Sequence, residues 1–263
     1  MELGCRYPSY FRWMIILKHL PNFLTCLNLL CGCLAIVFLG NGDPLLAAFL
    51  VMAAAVFDFF DGFLARLLNA SSPIGGDLDS LADMVTFGVV PGLTLLYYML
   101  QTTGWTIDGM ESFVQHPLLL VPFLIPVFSA LRLAKFNVDT RQTDSFRGLP
   151  TPASAMWVMS IPLMIAYMPY HIWWKPAEVT VELWFIVGSA IGLSVIMVSE
   201  LPLLAMKFKG FGWKGNEARY VLLIISVVLL IILRPVAIPL ILSLYVLISI
   251  IDNLLKRKNE VQS

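Results

Sequence analysis

The sequence predicts an all-α integral membrane protein, a polytopic bundle of about eight transmembrane helices, and three observations predict it. Of its 263 residues 59% are hydrophobic and only 13% charged, with a mean hydropathy of +0.84, far from the balance of a water-soluble domain. Apolar runs of about 17–25 residues, the length that crosses a hydrocarbon core, recur along the whole chain. The basic residues fall mostly between alternate pairs of those runs. The formal net charge is zero, so no overall bias points to nucleic acid as a partner. The membrane itself is the expected surrounding.

Residues 1–20 carry Arg6, Arg12, Lys18 and His19 among Tyr7, Tyr10, Phe11 and Trp13. That mixture is too charged to span but suits the headgroup region, and it predicts an N-terminal interfacial helix or arm. Candidate spans follow near 23–40, 44–68, 82–101, 117–136, 152–170, 181–204, 218–233 and 235–252. The last two are short and separated by Arg234 and Pro235, so a hairpin and a single broken helix are both open. The first run continues to spanning length without a small-residue cleavage pattern, and we expect it to be retained rather than removed as a signal peptide. Residues 21–210 form the expected membrane core, and 211–263 a C-terminal two-helix hairpin with a basic tail.

With eight spans and both termini inside, fifteen of the seventeen Lys and Arg residues lie on the cytoplasmic side, leaving only Lys175 and Arg234 opposite. This is the positive-inside asymmetry, and it places the turn between the second and third spans in the cytoplasm. A bacterial inner or plasma membrane is the expected location. Cys5, Cys26, Cys31 and Cys33 include no C-x-x-C spacing and are read as small buried hydrophobes. His19, His116 and His171 stand apart from any cluster and are read as interfacial. Gly188 and Gly192 form a G-x-x-x-G, for which packing between helices of one chain is the expected use.

The chemistry is concentrated in Asp58–Asp83, where five carboxylates interrupt an otherwise apolar chain. Ionisable groups at membrane depth cost several kcal/mol unless paired, metal-bound or hydrated, so a cluster of them marks a functional site. Asp58 and Asp61 stand three apart, with Gly62, Ala65 and Arg66 along the same or the adjoining stripe of a helix. The run N-A-S-S-P-I-G-G at 69–76 breaks that helix, and Asp79 and Asp83 stand four apart on the next. A hairpin there gathers four carboxylates. Asp77, two from Asp79, points away and is read as a solvated turn residue.

Four neighbouring carboxylates need a compensating charge, and oxygen ligands suit hard divalent cations such as Mg²⁺ or Mn²⁺. Such ions commonly share their coordination with substrate phosphates, so a phosphorylated substrate follows. Gly62 leaves room for it beside the helix, and Arg66 suits a phosphate oxygen. Spacing alone leaves two other readings open: a carboxylate relay in an ion transporter, and paired charges that only stabilise the bundle.

The pattern D-x₂-D-G-x₂-A-R-x₈-G-x₃-D-x₃-D, met at Asp58, Asp61, Gly62, Ala65, Arg66, Gly75, Asp79 and Asp83, resembles the signature of the CDP-alcohol phosphatidyltransferase family. Members are membrane enzymes that displace CMP from a CDP-linked lipid with the hydroxyl of a second alcohol. The resemblance implies Asp58, Asp61, Asp79 and Asp83 as ligands of two divalent ions, with Asp83 also the proton acceptor. Gly62, Arg66 and Ser72 would contact the CDP moiety, with Gly75 beside them in the motif. It also implies a homodimer. No Ser, Cys or His stands in the motif as a covalent nucleophile, so direct in-line attack is the expected scheme.

Two further segments, P-N-F-L-T-C-L-N at 21–28 and L-R-L-A-K-F-N at 131–137 followed by F-R-G-L-P-T-P-A at 146–153, resemble the phosphatidylserine synthase branch of that family. This implies CDP-diacylglycerol and L-serine as substrates. Asn22, Thr25 and Asn28 are candidates for the CDP-lipid, Thr25 and Asn28 being polar at membrane depth; hydrogen bonds between helices are an equal explanation for those two. Arg132, Lys135, Asn137 and Arg147 are candidates for the carboxylate-bearing acceptor, which needs a counter-charge. Lys135 stands where that branch more often has Arg, which keeps the charge but weakens a bidentate contact. Positive-inside bias alone, or contact with anionic lipid, also accounts for such a basic cluster. Glycerol 3-phosphate or inositol phosphate in place of serine is the nearest alternative.

Overall fold

The computed structural model describes residues 9–70, 72–138, 146–167, 181–203 and 217–262. They form helices α1 (Ser9–Gly40), α2 (Pro44–Leu67), α3 (Pro73–Asp83), α4 (Val90–Thr103), α5 (Met110–Gln115), α6 (Leu124–Val138), α7 (Thr151–Tyr167), α8 (Leu183–Val198), α9 (Glu217–Leu233) and α10 (Ala237–Gln262). A π-helical segment, Met84–Val89, joins α3 to α4 without interrupting the rod, and a 3₁₀ segment, Pro117–Phe123, leads into α6. The only strands among the described residues are two of two residues each.

Many large apolar side chains face outward, while the interior holds ionisable groups, Asp61, Asp83 and Arg132, beside its apolar core. On α2 the exposed residues include Val56, Phe59, Phe60 and Phe63, whereas Ala47, Val51, Ala54 and the carboxylate of Asp61 are buried. That arrangement is stable only where hydrocarbon is the solvent. Five segments are long and apolar enough to cross a membrane: Lys18–Gly40, Pro44–Leu67, Ile74–Thr103, Pro117–Val138 and Arg219–Ile251. Two shorter apolar helices, Thr151–Tyr167 and Leu183–Val198, accompany them. The protein is thus an all-helical membrane bundle.

Three differences from the sequence expectation have local causes. The interfacial segment expected at 1–20 lies outside the described residues up to 8, and from Ser9 it is continuous with the first span, Pro21 standing inside α1. Arg219–Ile251 is not one straight rod, because Arg234 adopts a left-handed φ of 52° and Pro235 follows it. α9 and α10 then pack against each other as a hairpin. Among the described residues the G-x-x-x-G of α8 does not pack on another helix: a Cβ at Gly188 or Gly192 would meet nothing within 4 Å. Both glycines line an apolar cavity of about 540 Å³ shared with Val246 of α10.

The turns that shape the acidic hairpin follow from side-chain caps. Asp43 Oδ1 accepts from Leu46 N at 2.9 Å with Pro44 at the first helical position, starting α2. Asn69, at φ 48°, turns the chain away after α2. Ser72 Oγ then accepts from Gly75 N at 3.1 Å, again ahead of a first-turn proline, and starts α3. Each is a Pro-after-cap start, in which the missing proline N–H costs nothing.

On the side of the chain where α6 ends, Phe146–Arg147 pairs antiparallel with Pro202–Leu203. Gly148 N and Leu149 N extend this clasp to Leu201 O at 3.0 Å and Ile196 O at 3.2 Å. Gly148 has a φ of 73°, and a Cβ there would overlap the carbonyls of Met197 and Ser199. Gly148→Ala is therefore expected to combine the left-handed penalty of about 1–2 kcal/mol with a backbone collision. A fall of several degrees in Tm, measured in detergent, is the expected result, and an unchanged Tm would show that the clasp is loose.

Candidate active site

Asp58 and Asp61 lie on the second half of α2, and Asp79 and Asp83 on α3, so the hairpin brings both pairs together as the spacing predicts. One carboxylate oxygen from each of Asp58, Asp61 and Asp79 can be chosen so that all three lie within 4.8 Å of one another. Asp83 stands outside that group of three but is an electrostatic neighbour of Asp58, Asp79 and Asp61. Asp61 and Asp83 are 5% and 7% exposed, which leaves little water to screen their mutual repulsion. Asp77 is exposed, as its helical phase predicts.

The donor set fits a divalent cation. Asp79 Oδ1 is buried and has no hydrogen-bond partner among the described residues. A buried carboxylate oxygen left without a donor is costly unless a cation meets it. Hard oxygen ligands converging from two helices supply that cation's preferred chemistry.

Next to the carboxylates lies a cavity of about 240 Å³ between α1, α2 and the start of α3. Asp61, Gly62 and Arg66 line it from α2, and Ser72, Gly75 and Asp79 from α3. Asn22 and Thr25 close it from α1. A Cβ at Gly62 would meet nothing within 4 Å, so the backbone of α2 is open to the cavity there. At Gly75 a Cβ would come within 3.0 Å of Asn22 Oδ1, so glycine is what lets α1 approach the start of α3. Seven of the residues expected to meet the CDP-lipid or a metal from α1 and α2 or the turn thus share one polar cavity with Asp79.

Asn28 is placed differently. It is fully buried and its Nδ2 donates to Asp83 Oδ1 at 3.1 Å. Thr25, besides lining the cavity, donates from Oγ1 to Asp61 Oδ2 at 2.6 Å. Of the two explanations open from the sequence, bonds between helices describe both side chains here, with carboxylates as the acceptors.

The acceptor candidates separate. Arg132 is 8% exposed on α6, its Nε buried without a partner among the described residues, its guanidinium 5.8 Å from the Phe136 ring centroid. Its electrostatic neighbour is Asp83. Lys135 is exposed. Asn137 Nδ2 donates to Ser80 Oγ at 2.9 Å, tying α6 to α3 one turn from Asp83. Arg147 has its backbone in the clasp, and its side chain lies outside the described residues.

Thr86 and Gly32 enter the site without having been singled out in the sequence. Thr86 Oγ1 donates to Asn28 O at 3.2 Å, and a Cβ at Gly32 would overlap Thr86. The available signal was a threonine three residues beyond Asp83, on the same helical stripe.

The model of the CDP-alcohol phosphatidyltransferase family matches residues 18–251. A protein of Helicobacter pylori strain J99 named CDP-diacylglycerol–serine O-phosphatidyltransferase is 33% identical over 88% of this chain and 89% of its own length. A Bacillus subtilis protein of the same name is 31% identical over 70% of this chain and 89% of its own. A Mycobacterium leprae protein, also of that name, is 34% identical over 74% of this chain, and the match spans only 61% of that longer protein. The match begins in α1 and ends in α10, taking in every carboxylate and cavity residue described above. The chain belongs to the CDP-alcohol phosphatidyltransferase family.

Proposed function

We propose that the protein transfers the phosphatidyl group of CDP-diacylglycerol to L-serine, giving phosphatidylserine and CMP. What supports the reading most is the junction of three features: the carboxylate trio, the polar cavity beside it, and a buried Arg132 adjoining Asp83. The cavity suits the cytidine and ribose, with Arg66 and the N-terminus of α3 turned to the diphosphate. Arg132 offers a carboxylate its guanidinium on the other side of Asp83. The acceptor named for the relatives is serine. Lys135, Asn137 and Arg147 complete the acceptor side of this reading.

The serine hydroxyl oxygen attacks the phosphorus that carries diacylglycerol, forming a P–O bond. The bond from that phosphorus to the oxygen bridging to CMP breaks, and its electron pair leaves on CMP. Asp83 takes the hydroxyl proton. Asp58, Asp61 and Asp79, with Asp83 at the margin, would hold Mg²⁺ or Mn²⁺, two ions in the family scheme, and these supply neutralisation of the diphosphate charge when bound. Gly62 keeps the helix backbone clear of the lipid phosphate. Burial of Asp83 excludes water that would compete with serine as the attacking group.

The topology we propose has eight crossings with both termini and the site on the cytoplasmic face, α7, α8, α9 and α10 each crossing once. At 17, 16 and 17 residues α7, α8 and α9 rise roughly 24–26 Å, near the thickness of a hydrocarbon core. The positive-inside asymmetry supports the same orientation.

Purified protein given CDP-diacylglycerol and Mn²⁺ is expected to release CMP when L-serine is added, and not when glycerol 3-phosphate or inositol phosphate is. Turnover of another alcohol without serine-dependent CMP release would overturn the serine assignment. Ion flux in vesicles without any nucleotide substrate would overturn the enzyme reading in favour of transport.

A further inference from the structure

Helix α1 carries no member of the acidic motif, yet two of its side chains each engage one carboxylate of the site. Thr25 and Asn28 are three residues apart and share one face of the helix. Thr25, 3% exposed, has one hydroxyl proton and two acceptors within reach of Oγ1, Asp61 Oδ2 at 2.6 Å and Pro21 O at 3.1 Å. A threonine in a helix ordinarily bonds only its own preceding turn. The shorter, charge-assisted bond to α2 is the stronger of the two.

Asn28 shows the same preference more plainly. Its amide nitrogen faces Asp83 at 3.1 Å, the orientation an ionised carboxylate requires, since such a group only accepts. Its own Oδ1 is buried without a partner among the described residues. An asparagine serving only to join helices would be expected to satisfy both ends of its amide. Here one end is given up to keep a donor on Asp83.

The register of α1 is fixed by the next turn along the seam. Thr86 Oγ1 donates to Asn28 O at 3.2 Å, and Gly32, four residues beyond Asn28, leaves the space Thr86 fills. Gly32 and Asn28 thus meet Thr86 and Asp83 as matching pairs across two helices. A shift of α1 by one residue would lose both bonds.

We propose that Thr25 and Asn28 are positioning residues with separate duties, Thr25 orienting Asp61 as a metal ligand and Asn28 orienting Asp83 as the proton acceptor. The separation follows from the geometry, because Asp61 belongs to the carboxylate trio and Asp83 does not. Asn28 holds Oδ1 of Asp83, which fixes the orientation of the carboxylate that receives the hydroxyl proton. The proposal rests on the phosphatidyltransfer reading for the duty of Asn28, while the duty of Thr25 needs only a bound cation.

The test is a crossed pair of variants with two readouts. Mn²⁺ binding is followed by electron paramagnetic resonance, and turnover by CMP release with whichever acceptor supports it. Thr25→Val keeps the shape and removes the hydroxyl. It is expected to weaken Mn²⁺ binding about 10- to 100-fold, the usual loss when a group behind a ligand is removed, and Thr25→Ser to restore it. Asn28→Ala is expected to leave Mn²⁺ affinity and both KM values within about twofold of wild type while kcat falls on the order of 10- to 100-fold.

Unchanged Mn²⁺ affinity in Thr25→Val, or both variants losing the same property, would overturn the division of duties. A monodisperse elution profile and a wild-type circular dichroism spectrum report folding. Should Thr25→Val not fold, Thr25→Ala removes the same hydroxyl and is read the same way. Wild-type protein that binds Mn²⁺ but releases no CMP with any alcohol would refute the phosphatidyltransfer reading and the duty of Asn28 with it, leaving the Thr25 arm to stand or fall on the metal titration.

Discussion

Asp83→Asn is expected to lower kcat for CMP release by about 10²–10⁴-fold, the range that loss of a positioned general base produces, while the protein still folds. The substitution is nearly isosteric, and the new side chain keeps an oxygen to accept from Asn28 Nδ2, which now bonds Asp83 Oδ1 at 3.1 Å. Its amide nitrogen can donate to the neighbouring Asp58, so no buried polar atom is orphaned by the exchange. The charge balance of the four carboxylates eases rather than worsens. What disappears is the capacity to take a proton.

Retained CMP and Mn²⁺ binding with lost turnover would separate this role from metal ligation. A residual kcat within about fivefold of wild type would overturn it, since that is below what a general base contributes. Loss of Mn²⁺ binding in the same variant would make Asp83 a ligand first.

The hairpin was legible because its information is local. Carboxylates three or four apart share a helix face, and N-A-S-S-P-I-G-G contains its own stop and start, down to the Ser72 cap and Pro73. The outward phase of Asp77 follows from the same periodicity. Thr25 and Asn28 were visible as polar residues in a span, but their partners are 36 and 55 residues away. Such pairs depend on how helices dock, which no single-helix periodicity encodes.

Arg132 was among the acceptor candidates, but the sequence did not separate it from Lys135. Its neighbours in sequence read as the end of a span entering a basic loop, where positive-inside bias predicts an exposed cation. The structure buries it on α6 against Asp83, while Lys135, three residues on, is exposed. Both fit the same sequence rule, and only packing distinguishes them. The π-helical segment after Asp83 likewise has no sequence signature of its own. The G-x-x-x-G of α8 gave the opposite error, a packing motif whose glycines meet no helix among the described residues.

Asp61→Asn is expected to abolish measurable Mn²⁺ binding at concentrations that saturate the wild type. Asp61 is the member of the trio that is both buried and held by a hydroxyl, Thr25 Oγ1 at 2.6 Å. The amide retains an oxygen for that bond, so the local fold has no reason to change. A neutral amide, however, removes one of three negative charges that meet a divalent ion, and magnesium-like ions depend on carboxylates for protein affinity. Because a cation bound only to the folded state raises stability by mass action, Mn²⁺ should raise the Tm of the wild-type protein and leave that of Asp61→Asn unmoved. Equal Tm shifts in the two proteins, with equal affinities by calorimetry, would remove Asp61 from the metal site and return the trio to a merely structural role.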